Sequence, residues 1–248
     1  MVFPMPRTPF ILFISLALIL IGVPFLIASL SGDSNSVFGG FLFNPIDGNS
    51  YLAKMRQGFD GEWKFHLPYT AEQGNGAYIF LYYLFLGHVA RLTGVSLIII
   101  FHLARIIGSL FLLVALAGFI ELIFAQKNAY LRILSFILAV FGSGLGWFVA
   151  IFGGFTSDFW VAEMYPFLSM YANPHFPLGL AILILFLTFE LDKSNRVNPF
   201  VLLGLGIVEA IVFQFGVVVA ISVSIIYRIL SYRRTDQPTL RNVIWFGL

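Results

Sequence analysis

Long apolar runs recur along this chain and are the feature that most restricts its fold. The first run, Phe10–Leu30, has about 20 residues, the length that an α-helix needs to cross the hydrocarbon core of a bilayer. Backbone in lipid must satisfy its own hydrogen bonds, so each spanning run is expected to be helical. The further runs are Tyr78–Leu92, Val95–Phe124, Ile133–Gly153, Phe176–Leu191, Pro199–Phe213 and Phe215–Leu230. The sequence therefore predicts an all-α fold, a polytopic transmembrane helical bundle.

Composition agrees with a bilayer as the surrounding solvent. Only 10% of the residues are charged, against about 25% in soluble domains, and the mean hydropathy is +0.93. The formal net charge of +2 is too small to indicate a nucleic-acid partner. The chain has no cysteine, which excludes disulfides, thiolate metal sites and cysteine nucleophiles. The lipid bilayer is thus the first expected partner.

The long run Val95–Phe124 contains Arg105, which decides where its membrane span should begin. A charge at the bilayer centre is costly. Placing Arg105 at the interface removes that cost and leaves a span of about 106–125, close to one bilayer thickness. The segments Tyr78–Leu92 and Val95–His102 are then expected to be juxtamembrane helices in the first external loop, on or dipping into the membrane surface.

The distribution of Lys and Arg sets the predicted topology. If Tyr78–Leu92 does not cross, six spans follow, both termini are cytoplasmic, and 31–104 is an external loop. The cytoplasmic side then receives Arg7, Lys127, Arg132, Lys193, Arg196, Arg228, Arg233, Arg234 and Arg241. If Tyr78–Leu92 crosses, that side keeps only Arg7, Arg91 and Arg105. The first arrangement predicts spans near 10–30, 106–125, 133–153, 176–191, 199–213 and 215–232 in a single transmembrane domain.

The predicted location is the plasma (inner) membrane, with the candidate site on its non-cytoplasmic face. The apolar residues Asn242–Leu248 look like the first turns of a seventh helix, so we expect the chain to be the N-terminal part of a longer protein.

Asp47 is the leading candidate in the external loop. The segment Asn44–Ser50 is expected to open a helix, and either Asn44 or Asp47 could cap it by accepting a free N–H group of the first turn. Residues Tyr51, Leu52 and Met55 share one face, as an amphipathic surface helix requires. From these residues alone, Asp47 is either a helix cap or a catalytic carboxylate.

Other candidate carboxylates occur in both external loops. The segment His66–Glu72, which includes Tyr69, is dense in polar groups: His66 or Glu72 could join a metal or acid–base site, or only order the loop. The loop 154–175 carries Asp158 and Glu163 and no Lys or Arg. Two or three converging carboxylates would bind a hard divalent cation such as Mg²⁺ or Mn²⁺. Such a cation would neutralise a phosphate leaving group.

Cationic and imidazole side chains near the interface are candidates for phosphate binding. His175 could bind a phosphate, bind a metal or mark the interface. Arg91 and Arg105 offer a planar, permanently charged fork for a lipid phosphate, and Arg105 could instead pair with a loop carboxylate. Glu209 lies within a predicted span, where a carboxylate suggests function. The glycines of Gly142–Gly146 are expected to allow close helix packing.

The arrangement resembles the N-terminal half of the GT-C superfamily of membrane glycosyltransferases, which includes protein O-mannosyltransferases and aminoarabinose transferases. In that family a first span leads to a long external loop with an early Asp, the position that Asp47 holds. An Arg begins the second span, matched by Ala104-Arg105-Ile106, and a second external loop holds an acid, matched by Asp158 or Glu163. The acidic pair frequent in the family is absent here, because Ile46 and Gly48 flank Asp47.

The resemblance implies transfer of a sugar from a polyprenyl-phosphate donor to an external acceptor. Asp47 would be the catalytic base or a metal ligand with Asp158 and Glu163. The substrate-binding candidates are Arg105, Arg91, His175, Glu72 and Tyr69. Two other classes remain open: a transporter or flippase for a lipid-linked or small polar substrate, and a non-catalytic membrane subunit.

Overall fold

A computed structural model of the chain describes residues 7–33, 35–72, 74–192, 197–231 and 241–248. This part of the chain is all-helical, as predicted, and its single extended pairing is a bridge between Phe65 and Ala77. The α-helices are α1 Arg7–Leu30, α2 Pro45–Asp60, α3 Leu81–Thr93, α4 Leu97–Ile123, α5 Ala129–Phe141, α6 Gly146–Ile151, α7 Pro166–Tyr171, α8 His175–Leu191, α9 Pro199–Val212, α10 Gln214–Ser231 and α11 Arg241–Gly247.

Two helices within the described ranges are long and apolar enough to cross a membrane, namely Thr8–Leu30 of α1 and the whole of α4. Shorter apolar helices are α5, α8, α9 and α10. The predicted cytoplasmic residues Lys193, Arg196, Arg233 and Arg234 lie outside the described residues, as does residue 232 at the end of the last predicted span.

Helix α4 differs from the span predicted to begin at residue 106. It starts at Leu97 and continues unbroken past Arg105. The prediction assumed that lipid would surround the guanidinium, but the side chain is buried in protein and donates to the main-chain carbonyls of Ile21 and Met170. A buried Arg with hydrogen-bond partners does not force the helix to begin at the interface.

The predicted span 133–153 is divided into two helices. Helix α5 ends before Gly142, whose backbone is extended, and α6 begins at Gly146. The carboxylate of Asp158 accepts hydrogen bonds from the Gly146 amide (2.8 Å) and the Ser143 hydroxyl (3.1 Å). The glycines were expected to pack helices together; instead they leave room for this carboxylate, and a Cβ at Gly144 would lie 3.0 Å from Asp158 Oδ2.

Helices α2 and α3 pack closely against each other as an antiparallel pair, and this pair carries most of the candidate site. Gly58 of α2 lies against the Leu84 carbonyl and Gly87 of α3 against the Met55 carbonyl, so neither position has room for a Cβ. Met55 is fully buried in the core that α2 and α3 share with α4. A second core joins α1, α4 and α5, and a third joins α8 to α11.

Candidate functional site

The start of α2 places Asp47 on its first turn. Asn44 adopts a left-handed conformation (φ 43°), and its side-chain oxygen accepts the Asp47 amide at 3.4 Å. The Asn44 side-chain amide donates in turn to the Asp47 carboxylate. Asn44 is therefore the cap, and the exposed Asp47 carboxylate lies where the helix dipole favours a negative charge.

Lys54 lies on the same face of α2, two turns after Asp47. Its side chain is buried, with 7% of the residue exposed, and its Nζ donates to the Ser50 hydroxyl at 2.8 Å. The ammonium also lies 4.6 Å from the centroid of the Tyr51 ring and 4.4 Å from that of Phe80, within cation–π range. Burial lowers the pKa of Lys54, and the charge of Asp47 opposes this shift.

Tyr51, Tyr83 and His175 form a cluster of side chains next to Lys54. The Tyr51 and Tyr83 rings are stacked, with centroids 4.2 Å apart. The Tyr83 hydroxyl shares a 2.5 Å hydrogen bond with Nδ1 of His175, and the His175 ring lies 5.1 Å from that of Tyr51. Burial raises the pKa of Tyr51 to about 12, and the charges of Asp47 and Glu163 add to this shift. The phenol of Tyr51 is thus protonated at neutral pH and can donate a hydrogen bond to a ligand.

The predicted metal ligands do not form one group. The charges of Asp47 and Glu163 both contribute to the raised pKa of Tyr51. Asp158 instead bonds to Thr156, Ser143 and the α6 amide, and these hydrogen bonds, with that of Thr156 the largest cause, lower its pKa. Throughout the described ranges, no three His, Asp or Glu side chains come together to hold a metal. The donor set does not fit a carboxylate-bound divalent cation.

Arg105 has its donors directed at protein groups. Only 1% of the residue is exposed. The guanidinium donates to the carbonyls of Ile21 (3.1 Å) and Met170 (2.9 Å) and to Nδ1 of His102 (3.3 Å), and it lies 4.2 Å from the centroid of the Phe25 ring. These contacts tie α4 to α1 and α7, which is a structural role.

The remaining predicted residues lie apart from Asp47 in the hydrogen-bond network of the described residues. Arg91 is exposed on the last turn of α3, with its guanidinium beside Gly61. Tyr69 and Glu72 are exposed in the loop between α2 and α3. The backbone of His66 in this loop is bound by the Gln57 side chain, which orders the segment. Of the predicted residues, Asp47 shares a helical face with Tyr51, the His175 ring lies 5.1 Å from the Tyr51 ring, and the charge of Glu163 contributes to the raised pKa of Tyr51. Arg91, Arg105, Tyr69 and Glu72 have no contact with this group among the described residues.

The sequence interpretation missed Lys54, Tyr51 and Tyr83 as members of this cluster. Asp47, Tyr51 and Lys54 are spaced at i, i+4 and i+7, which places them on one helical face. That spacing could have identified Tyr51 and Lys54 as neighbours of Asp47. It could not show that the Lys54 ammonium is buried against Phe80, because Phe80 belongs to a different part of the chain.

The cluster contains a carboxylate, a desolvated ammonium, two phenols and an imidazole at the junction of α2, α3 and α8. Such a set can accept a proton at one atom and attract an anion at another. Over the described residues, fold and site together define an all-helical protein with two helices long enough to span a membrane and a candidate acid–base site where α2, α3 and α8 meet. In comparisons with known proteins, no family model, no curated protein and no solved structure matches the chain.

Proposed function

We propose that the chain is a polytopic integral membrane enzyme that transfers a sugar from a polyprenyl-phosphate donor to an acceptor on the non-cytoplasmic face of the plasma membrane. The observation that carries this proposal is the placement of Asp47, Tyr51 and Lys54 on one face of α2, where the Tyr51 ring lies 4.6 Å from the Lys54 ammonium and 5.1 Å from the His175 ring of α8. Sugar transfer from a phosphate carrier requires a base for the acceptor hydroxyl and a cation for the phosphate, and this helical face carries one of each.

The exposed side chains of the apolar helices support a membrane location. On α1, more than half of the surface of Ile11, Leu12, Leu26 and Ile27 is exposed. Exposing a side chain of this size to water instead of burying it costs about 1.5–3 kcal/mol. Exposing it to lipid carries no such cost. The same pattern occurs on α4, α9 and α10, with Phe111, Phe200 and Ile229 as examples.

In the proposed reaction Asp47 accepts the proton of the acceptor hydroxyl. The acceptor oxygen forms a bond to the anomeric carbon, while the bond from that carbon to the phosphate oxygen breaks and its electron pair leaves with the phosphate. The Lys54 ammonium attracts the phosphate as its charge develops. Tyr51 donates a hydrogen bond to the sugar. A divalent cation enters at no step.

The decisive experiment is the substitution Asp47→Asn in the full chain. Membranes containing the protein are incubated with polyprenyl-phosphate mannose, and release of polyprenyl phosphate is measured. We expect loss of about 100-fold or more in rate, since general-base catalysis contributes 10²–10⁴-fold. Asp60→Asn is the matched control, because Asp60 is an exposed carboxylate at the other end of α2 that pairs with Arg56. Full activity of Asp47→Asn would exclude the role given to Asp47.

One observation favours a transporter as the second candidate. Glu209 of α9 is fully buried, and neither carboxylate oxygen has a hydrogen-bond partner in the described part of the chain. It lies against Gly216, just beyond the helix break at Phe213. Carboxylates at broken helices are typical of ion-coupled transporters. Proton-driven uptake that is lost in Glu209→Gln but kept in Asp47→Asn would favour transport. If neither sugar transfer nor uptake changes in either variant, the chain would be a non-catalytic subunit.

A further inference from the structure

A second buried guanidinium, that of Arg132, has no protein partner. Arg132 is on the first turns of α5, and 0% of the residue is exposed. None of its Nε, Nη1 and Nη2 atoms has a hydrogen-bond partner within the described residues. We propose that Arg132 binds the phosphate of an anionic phospholipid at the cytoplasmic ends of α1, α4 and α5.

The need for an anion follows from the chemistry of the side chain. A buried carboxyl such as Glu209 can become neutral by binding a proton, but a guanidinium cannot lose its proton in a protein. An uncompensated buried charge is strongly destabilising. Arg105 is equally buried and is satisfied by main-chain carbonyls. Arg132 has no such arrangement, so its counter-charge must come from outside the described chain.

The position of Arg132 in α5 indicates which anion is within reach. Arg132, Phe136 and Val140 are the buried residues of this helix, spaced by four, and form the face that packs toward α1 and α4. The Phe136 ring lies 4.4 Å from that of Phe10, near the beginning of α1. Arg132 is one turn closer to the start of α5. In the proposed topology this is the cytoplasmic end of the helices, at the depth of the lipid headgroups.

Local electrostatics favour a phosphate at this end. The start of a helix carries a partial positive charge and free amides, which add to a cation in binding an anion. The Arg132 fork matches two phosphate oxygens. The exposed Lys127 precedes the helix and adds positive charge without being buried. Anionic lipids are concentrated in the cytoplasmic leaflet, and basic pockets between helices on that side bind their headgroups.

The inference rests on the proposed membrane location and is independent of the transfer reaction. It is tested with the purified full chain in nanodiscs of phosphatidylcholine, with and without phosphatidylglycerol, by measuring the melting temperature. We expect phosphatidylglycerol to raise the melting temperature of the wild type. Arg132→Met should lose this rise, with binding weakened about tenfold or more, since hydrogen bonds to charged groups contribute that much. Lys127→Met is the matched control and should keep the rise.

Further arms separate the possible outcomes. In pure phosphatidylcholine, Arg132→Met should melt no lower than the wild type, because it removes an unpaired buried charge. If this variant does not fold, Arg132→Lys keeps the charge without the fork and should show a smaller rise than the wild type. A rise that is absent in the wild type, or unchanged in the Arg132 variants, overturns the proposal. An equal rise with inorganic phosphate in phosphatidylcholine nanodiscs would assign the site to a free anion and also overturn it.

Discussion

The Tyr83 hydroxyl and Nδ1 of His175 lie 2.5 Å apart and form a hydrogen bond that joins two helices 92 positions apart in sequence. Tyr83 is on α3 and His175 is the first residue of α8. The bond fixes the orientation of the imidazole beside the Tyr51 ring. It thereby connects the α2–α3 pair, which carries Asp47 and Lys54, to the apolar helices.

Tyr83→Phe tests this connection. The substitution keeps the ring stacked on Tyr51 but leaves the buried imidazole nitrogen without its partner, which costs about 1–3 kcal/mol. We expect a lower melting temperature in detergent or nanodiscs. Tyr82→Phe on the same helix is the control, because no hydrogen bond of the Tyr82 hydroxyl occurs within the described part of the chain. Equal melting temperatures for the two variants would show that the bond contributes nothing.

Arg105→Met should be among the most destabilising substitutions in the chain. It removes the hydrogen bonds from the guanidinium to the buried carbonyls of Ile21 and Met170, and a hydrogen bond to a charged group contributes about 1.5–3 kcal/mol. Thermal unfolding of the purified chain measures the effect. Arg56→Ala removes an exposed pair with Asp60 and should cost less than about 1 kcal/mol. Sugar transfer lost from a fully stable Arg105→Met protein would instead support the predicted substrate role.

The sequence predicts helices well where Pro or Asn marks the start of an apolar run. Predicted runs at 176–191 and 199–213 correspond to His175–Leu191 and Pro199–Val212, since Asn198 caps α9 and Pro199 begins it. It fails where a distant group decides the boundary. Helix α4 extends past Arg105 because carbonyls from α1 and α7 satisfy the guanidinium, and the run 133–153 breaks because Asp158 binds the Gly146 amide.

The candidate site was predictable only in part for the same reason. Asp47 was predicted from its place at the start of a helix together with the family resemblance, and His175 from its place at the start of an apolar run. The burial of Lys54 depends on Phe80, and the place of Tyr83 depends on the packing of α3 against α2. Those contacts join segments whose pairing no local pattern specifies.

Gly87→Ala tests the close approach of α2 and α3. A Cβ at this position would overlap the Met55 carbonyl, so the helices must move apart and the cluster around Lys54 must open. We expect a lower melting temperature and reduced sugar transfer. Gly118→Ala on α4 is the matched control: nothing lies near its Cβ position, and replacing a helical Gly should stabilise the chain by up to about 1 kcal/mol. A similar gain in stability for Gly87→Ala would contradict the close packing of α2 and α3.

Asp158→Asn tests the helix break through its dependence on pH. The hydrogen bonds to Asp158 lower its pKa in the folded state. The unfolded chain therefore takes up this proton first as the pH falls. The stability that the carboxylate contributes is fully present above about pH 4, its unfolded pKa, and is lost as the pH falls through the lower folded value. The wild type should lose stability more steeply than Asp158→Asn below that pH. If the stability of the wild type and of Asp158→Asn falls equally with pH, the Asp158 carboxylate does not contribute to stability in this way.

Lys54 gives the sharpest test of the proposed chemistry, because burial lowers its pKa below that of a free lysine. The ammonium is lost as the pH rises through this lowered value, so sugar transfer by the wild type should decline on the alkaline side before an ordinary lysine would titrate. Lys54→Met should lower kcat/KM for polyprenyl-phosphate mannose by about 100-fold at neutral pH, in the range found for removal of one group that stabilises developing charge.

Lys54→Arg separates loss of charge from loss of shape. Arginine stays protonated over this pH range, so whatever activity this variant keeps should persist to higher pH than in the wild type. The stability of Lys54→Met should not fall in parallel with its activity, since the substitution also removes the desolvation of a buried cation and keeps an apolar chain between Tyr51 and Phe80. An alkaline decline that is identical in the wild type and Lys54→Arg would show that Lys54 does not titrate in the reaction, and the phosphate would then need another cation.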